Sequence, residues 1–171
     1  MPPRARMKAH VLCEAIFAGD EAEVRRLISL DPACVNTPES GGTTALMLCA
    51  AYKQPEIARS LIARGANVNA GEVRWGLTAL HLAARKHCTP LVQLLIESGA
   101  LVDQCDEHSH TALWHAVMCY TPAFDGSTFE LLIQAGANPW LRDKFGDTPT
   151  DMARRSEQGT GRFFEKVPDA K

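Results

Sequence analysis

Histidine and cysteine side chains near the middle of the chain are the residues best suited to chemistry. His108, His110 and His115 fall within eight residues, and Cys105 precedes them. Imidazole nitrogens and thiolates are ligands that zinc prefers, so this segment could in principle hold a metal ion. Alternate residues of a loop need not point to one centre, however, and no matching second ligand pair accompanies them. The sequence therefore predicts no bound metal and no cofactor.

A cysteine–histidine enzyme is the catalytic alternative. It requires a cysteine and a histidine that share a pocket within hydrogen-bond reach. The sequence shows no nucleophile motif, no acid–base pair and no glycine-rich phosphate loop. The six cysteines form no C-x-x-C pair, and this usage favours reduced thiols over disulfides or structural zinc. We therefore expect a non-catalytic protein that acts in the cytoplasm.

A short motif that begins with threonine recurs along the chain. Thr44, Thr78 and Thr111 are each followed by Ala-Leu, and Thr148 begins an altered copy. The intervals between these threonines are 34, 33 and 37 residues. A nearly fixed period of this length is the signature of stacked structural repeats. Stacked repeats usually present an extended surface to a partner instead of a pocket to a substrate.

Two helices are predicted within each repeat. Threonine suits the N-cap of the first helix, because its hydroxyl accepts a backbone N–H that the helix leaves unpaired. Apolar residues then recur at three- and four-residue spacing, as in 80–84 and 91–96, which is typical of amphipathic helices. Glycine suits the left-handed end of the second helix, and it stands there at Gly65, Gly99 and Gly136. These signals predict an all-α fold.

One repeat carries a recognisable family pattern. Residues 76–84, Gly-Leu-Thr-Ala-Leu-His-Leu-Ala-Ala, closely resemble the ankyrin repeat's G-x-T-P-L-H-x-A-A, and 91–100 resemble its second helix and glycine stop. The resemblance extends over 42–70, 109–138 and 146–153, with a degenerate first copy over 12–36. It implies an ankyrin-repeat solenoid of about four full helix-turn-helix units plus a terminal part-unit, in a single domain over 1–171. The expected units are 8–41, 42–75, 76–108, 109–145 and a capping unit, 146–166.

Composition and charge limit the classes of molecule that the chain is expected to bind. The formal net charge is −2 and no basic run is present, so nucleic-acid binding, which depends on contacts to phosphates, gains no support. No stretch of about 20 apolar residues predicts a membrane span. The basic N-terminus lacks the long apolar segment of a secretory signal. Residues 168–171 are expected to be disordered, and the pair Phe163-Phe164 is expected to belong to a short closing helix.

The resemblance also implies where a partner protein binds. Ankyrin repeats usually meet partners through the loop tips between units and the exposed side of each first helix. Mapped by register, this surface contains Tyr52, Arg74, Trp75, Leu77, Arg85, Lys86, Glu107, His108, His110, Met118, Lys144 and Phe145.

Trp75 and Phe145 are the most informative of these residues, because a large aromatic side chain at a loop tip is not needed to fill the apolar core. Tryptophan and arginine are also enriched among binding hot spots. Trp75 beside Arg74 predicts a mixed aromatic and basic patch that meets an acidic surface on the partner. The alternative is that Trp75 packs locally on the neighbouring loop.

Two irregularities interrupt the period. Four extra residues fall within 120–127 and bring Tyr120 and Phe124, which we expect to be exposed. This insertion is either an ordinary loop, since lengthening a loop is inexpensive, or a second contact site. One extra residue within 72–75 lengthens a tip and is expected to push Trp75 outward.

The histidine of the family pattern is present in the third unit as His81, where the resemblance implies a structural role. In the fourth unit Trp114 stands at the same position.

The function expected from these observations is non-catalytic protein binding that occludes a site on the partner. Small bacterial ankyrin proteins, which include immunity proteins that neutralise toxins, provide one resemblance, carried by Asn138-Pro139-Trp140 and the residues that follow. The ankyrin-type cyclin-dependent kinase inhibitors provide a second, but the insertion in the fourth unit is foreign to them. An adaptor or effector role is the third alternative.

Overall fold

The computed structural model describes residues 3–165, with side chains from Ala9 onward. The segment 168–171, expected from the sequence to be disordered, lies outside the described residues. Nine α-helices follow one another in this part of the chain: α1 (Pro3–Ala18), α2 (Glu21–Leu30), α3 (Ala45–Ala51), α4 (Pro55–Ile62), α5 (Ala79–Arg85), α6 (Thr89–Glu97), α7 (Ala112–Met118), α8 (Ser127–Gln134) and α9 (Pro149–Arg155). Short 3₁₀ helices cover Pro32–Asn36, Ser40–Gly42 and Thr160–Phe164. The predicted all-α solenoid is confirmed.

The repeated threonine determines where four of the helices begin. Each hydroxyl accepts the backbone N–H of the residue three positions later, in the pairs Thr44–Met47, Thr78–His81, Thr111–Trp114 and Thr148–Asp151. This bond satisfies one of the N–H groups that a helix start leaves unpaired. The cap thus fixes the first residue of α3, α5, α7 and α9 and, with it, the position of the preceding loop.

Small side chains allow the stacked helices to approach one another. Helix α5 packs between α3 and α7. Ala50, Ala83, Ala84 and Ala116 are completely buried there. Leucines at equivalent positions of the three helices fill the space beside them, and Leu80 is 2% exposed. Burial of this continuous apolar layer stabilises the stack, because no single unit can bury its apolar face alone.

Asparagine side chains connect successive units at the ends of the second helices. The Asn36 amide donates to the Gly65 carbonyl at 2.8 Å, and its oxygen accepts the Asn67 N–H at 2.7 Å. Asn69 makes the same pair of bonds one unit further along. We call these bonds the asparagine ladder. Each one satisfies a backbone carbonyl and a backbone N–H that the glycine turn would otherwise leave to solvent.

The insertion in the fourth unit folds inward. Tyr120 is only 4% exposed, so the prediction that its side chain is exposed is wrong. Phe124 is half-buried, and its ring stacks on His87 with 4.2 Å between centroids. The Tyr120 hydroxyl donates to the Phe124 carbonyl at 3.2 Å and accepts from Arg162 at 3.0 Å. The extra residues extend the apolar core because their aromatic rings find partners on both sides.

The closing helix predicted around Phe163 and Phe164 is confirmed as a 3₁₀ helix. Phe164 is 2% exposed. The Phe163 ring lies 4.9 Å from Phe129 and 5.6 Å from Tyr120. This segment therefore joins the same aromatic cluster as the insertion.

Gly126, the N-cap residue of α8, packs tightly against this cluster. Its φ is +87°, and a Cβ at this position would lie 2.1 Å from the Phe163 ring. Gly136 has a φ of +90° but no atom within 4 Å of such a Cβ.

We expect Gly136→Ala to cost about 1 kcal/mol through backbone strain alone. Gly126→Ala should cost about 1–3 kcal/mol more through overpacking, as measured by urea unfolding. Equal losses would contradict the tight contact with Phe163.

His87 makes the stability dependent on pH. Its Nε2–H donates to the Ala116 carbonyl at 3.0 Å, whereas Nδ1 is buried without a hydrogen-bond partner. Burial lowers the pKa of His87, assisted by the charge of Lys53 and opposed by the Ala116 bond and Asp125. The unfolded chain therefore binds a proton more readily than the native protein once the pH falls below the ordinary imidazole value of 6.5. Stability contributed by neutral His87 is present above that pH and is lost below it.

We expect His87→Asn to lose less unfolding free energy between pH 7.5 and pH 5.5 than the parent protein, in urea titrations. Asparagine tolerates the positive φ of 48° at this position. His10→Gln is a control of opposite sign, because the hydrogen bond with Glu39 raises the pKa of His10. The same pH dependence in His87→Asn and the parent would contradict this role.

Candidate functional site

The loop tips that precede the capped helices are joined in a row by backbone hydrogen bonds. In each bond an N–H of one tip donates to a carbonyl of the tip before it. The bonds run from Val73 to Gly41 (2.8 Å), from Glu107 to Trp75 (2.8 Å) and from Lys144 to His108 (3.1 Å). Four successive tips therefore lie side by side with a fixed spacing.

A carboxylate at the base of each of the last three tips holds the turn. Asp106 Oδ1 accepts the backbone N–H groups of His108 and His110, at 2.8 and 2.9 Å. Asp143 and Glu72 bind the backbone of their own tips in a similar manner. Burial alone would raise the pKa of Asp106, but the bonds from the His110 backbone, the His115 ring and the His108 backbone outweigh burial and lower it. The carboxylate is therefore ionised at neutral pH.

Aromatic rings lie close together around the loop tips that carry Trp75 and His108. Trp75 lies 5.4 Å from His108, His108 lies 5.5 Å from His110, and His110 stacks on Trp114 at 3.5 Å, measured between centroids. The Arg74 guanidinium lies 4.9 Å from the Trp75 ring, within range of a cation–π interaction. We call Trp75, His108, His110 and Trp114 the aromatic row. Trp114 thus packs on the loop that precedes its own helix.

Most of the residues predicted to contact a partner are exposed. Phe145 is 81% exposed, and Met118 and Tyr52 are close to half exposed. Trp75 is 39% exposed even though one side of its ring meets His108, so it both packs locally and reaches solvent. Arg74, Arg85, Lys86, Glu107 and Lys144 are also exposed, whereas Leu77, His108 and His110 are half-buried.

The exposed aromatic surface also includes Phe17, which sequence reasoning missed. Phe17 is 69% exposed and meets the Tyr52 ring edge-on at 5.2 Å. The available signal was its position near the end of the first helix of its unit, since Tyr52 and Met118 also lie within one residue of the ends of first helices, α3 and α7. The candidate contact surface therefore extends along the ends of the first helices to α1.

His81 has the structural role that the resemblance implied. Its Nδ1 accepts the Thr78 backbone N–H at 3.1 Å, so Nε2 carries the proton and donates to the His110 carbonyl at 3.1 Å. Burial lowers the pKa of His81 to about 4, with a smaller contribution from His115. A neutral imidazole thus connects the cap of α5 to the next loop tip.

Three side chains converge at the base of the tip that precedes α7. Asp106 Oδ2 lies 2.9 Å from His115 Nε2 and 3.5 Å from His110 Nδ1. One potential ligand atom from each residue falls within 4.8 Å of the others. We did not expect His110 and His115 to converge, because alternate loop residues need not point to one centre, and Asp106 was not among the ligands considered. The sequence feature that could have identified Asp106 is its position four residues before His110. Asp143 stands at the same distance before Asp147 in the next tip.

The structure also places a cysteine and a histidine in one groove. His10, Cys13 and Glu39 line a groove of about 400 Å³ together with Phe17 and Tyr52. Burial, together with the charge of Glu39, raises the pKa of the Cys13 thiol to about 12. The thiol is therefore protonated at neutral pH, and a thiolate nucleophile is not available in this groove. The catalytic alternative gains no support there.

Comparisons with known proteins agree with this architecture. A family model described as ankyrin repeats in three copies matches residues 5–72 and 68–143. The chain therefore belongs to the ankyrin-repeat family. Ankyrin repeats are protein–protein interaction modules that bind other proteins and are generally non-catalytic. Within residues 3–165, no helix combines the length and apolar character needed to cross a membrane.

The share of each similar protein that this chain covers varies widely. The mitochondrial disaggregase of Bos taurus is 32% identical over 88% of this chain and 22% of its own length, and the human protein is 30% identical over 88% and 25%. The chain thus spans about a quarter of these relatives. The putative ankyrin repeat protein YahD of Escherichia coli is 25% identical over 87% of this chain and 88% of its own length.

Proposed function

We propose that the chain binds a partner protein through the aromatic row and the adjacent loop tips, and that binding occludes a functional site on that partner. The observation that carries this proposal is the fixed row of tips from Gly41 to Lys144, which presents Trp75 and Phe145 to solvent. Exposed aromatic residues on a rigid frame bind with little loss of conformational entropy.

Charge supports an acidic partner surface. Arg74 lies against Trp75, and Lys144 adjoins Phe145, so each exposed aromatic side chain of the tips has a cation beside it. Arg85 and Lys86 add two exposed cations at the end of α5. An acidic patch would complement these groups, and the association rate would decrease with salt.

The partner that we favour is a bacterial toxin, which would make this chain an immunity protein. The bacterial character of the segment that starts at Asn138 and the similarity to YahD along most of that protein support this choice. A rigid contact surface suits occlusion, since it can cover an active site without rearrangement. The buried thiols of Cys49 and Cys88 support a reducing cytoplasm as the place of action, because cytoplasmic proteins keep their thiols reduced.

Replacement of Arg74 and Trp75 by alanine tests the contact surface. We expect the double variant to capture the partner roughly thirtyfold less efficiently or worse, because a single hot-spot residue contributes about 2 kcal/mol or more. Unfolding free energy should change by less than about 1 kcal/mol, since neither side chain lies in the core. Affinity capture from the source cell followed by titration with the purified partner provides the measurement.

Leu30→Ala combined with Arg59→Ala is the matched control, because both side chains are exposed on second helices away from the tips. It should capture the partner like the parent protein. Loss of capture in the control with retention in the tip variant would overturn the choice of surface. A captured partner that keeps full activity with equimolar protein would reject occlusion and favour an adaptor.

A further inference from the structure

We propose that Asp106, His110 and His115 form a binding site for a divalent transition-metal ion of the zinc type, a property separate from partner binding at the tips. The ligands are one carboxylate oxygen and two imidazole nitrogens, a set that zinc accepts in sites that leave one position open. The inference reverses the expectation from sequence that this segment holds no metal.

The distances between the ligand atoms fit such an ion. Two ligands of a tetrahedral zinc ion, each about 2.0–2.1 Å from the metal, lie about 3.3 Å apart. Asp106 Oδ2 lies 2.9 Å from His115 Nε2 and 3.5 Å from His110 Nδ1, on either side of that value. The ligand atoms all lie within 4.8 Å of one another, so they would approach by at most about 1.5 Å to reach the tetrahedral spacing.

Each ligand is held in place by contacts outside the cluster. Asp106 uses its other oxygen, Oδ1, to accept the backbone N–H groups of His108 and His110. The His110 ring is clamped against Trp114 at 3.5 Å. The ring of His81 meets that of His115 edge-on at 5.4 Å. Such preorganisation lowers the cost of assembling a metal site.

Asp143 supplies a further feature typical of metal sites. The Nε2 atom of His110 is buried without an aligned hydrogen bond, and the nearest carboxylate oxygen, Asp143 Oδ2, lies 3.4 Å away. A histidine that binds a metal through one nitrogen usually directs the other N–H to a carboxylate, which fixes the tautomer and strengthens the ligand. With Nδ1 of His110 on the ion, Nε2–H would face Asp143. Two carboxylates then offset the charge of the cation.

The site has access to solvent. The side chains of His110 and His115 are each 13% exposed, and Asp106 is 3% exposed. Three protein ligands leave a fourth position for a water molecule. One ligand, His110, belongs to the aromatic row and stacks on Trp114, so the ion would adjoin that row.

Metal binding can be measured on the full chain after treatment with EDTA. Zinc chloride is titrated by calorimetry, and cobalt chloride by the visible absorption of tetrahedral cobalt. We expect one ion per chain, and Trp114 fluorescence should change with the same stoichiometry because its ring stacks on a ligand. His115→Gln and His110→Phe should each weaken binding roughly tenfold or more. Phenylalanine retains the stacking on Trp114, and thermal melting of each variant checks its folding.

Cys105→Ser and His108→Ala are the controls, since both residues lie in the same loop but outside the ligand set. They should bind zinc like the parent chain. No stoichiometric binding by the parent would overturn the proposal. Binding that survives both His110→Phe and His115→Gln, or that is lost in Cys105→Ser, would assign the ion to thiols and also overturn it. These outcomes are independent of any partner protein.

Discussion

The hydrogen bond from a threonine hydroxyl to the start of a first helix is the interaction on which the rest of the molecule depends. It sets the first residue of α3, α5, α7 and α9, and the loop before each helix must then approach from one direction. Only with the starts aligned can alanine layers stack and neighbouring tips exchange backbone hydrogen bonds. In the third unit His81 extends this dependence, because it connects the cap at Thr78 to the tip that carries His110.

Sequence reasoning predicted the helices well and the insertion poorly, for a physical reason. A cap, an amphipathic pattern and a glycine stop are local signals, and each is repeated several times in this chain. The placement of Tyr120 depends instead largely on Arg162 and Phe163, and Arg162 is 42 residues away from Tyr120 along the chain. Its turn-forming neighbours suggested exposure, but burial is a property of the partners that the fold supplies.

The candidate site shows the same division. Trp75 and Phe145 could be selected from their register alone, since a loop tip in a known repeat has a known exposure. The convergence of Asp106, His110 and His115 could not be predicted in this way. It brings two loop residues close to a residue of α7, and the conformation of the loop that does so cannot be read from residue spacing. Asp106 serves both surfaces: one oxygen shapes the tip that a partner would meet, and the other faces the histidines. Contact surface and metal site thus share a single structural support.

The asparagine ladder lies at the ends of the second helices, away from the caps, yet it bears on the shape of the whole binding edge. Each asparagine forms hydrogen bonds with both a carbonyl and an N–H of the following unit. These bonds restrain the rotation of one unit relative to the next. A small change in that rotation accumulates along a stack of repeats. The curvature presented to a partner is therefore controlled partly from a remote edge, and variation at Asn36 or Asn69 offers a route to altered specificity without altering any residue that touches the partner.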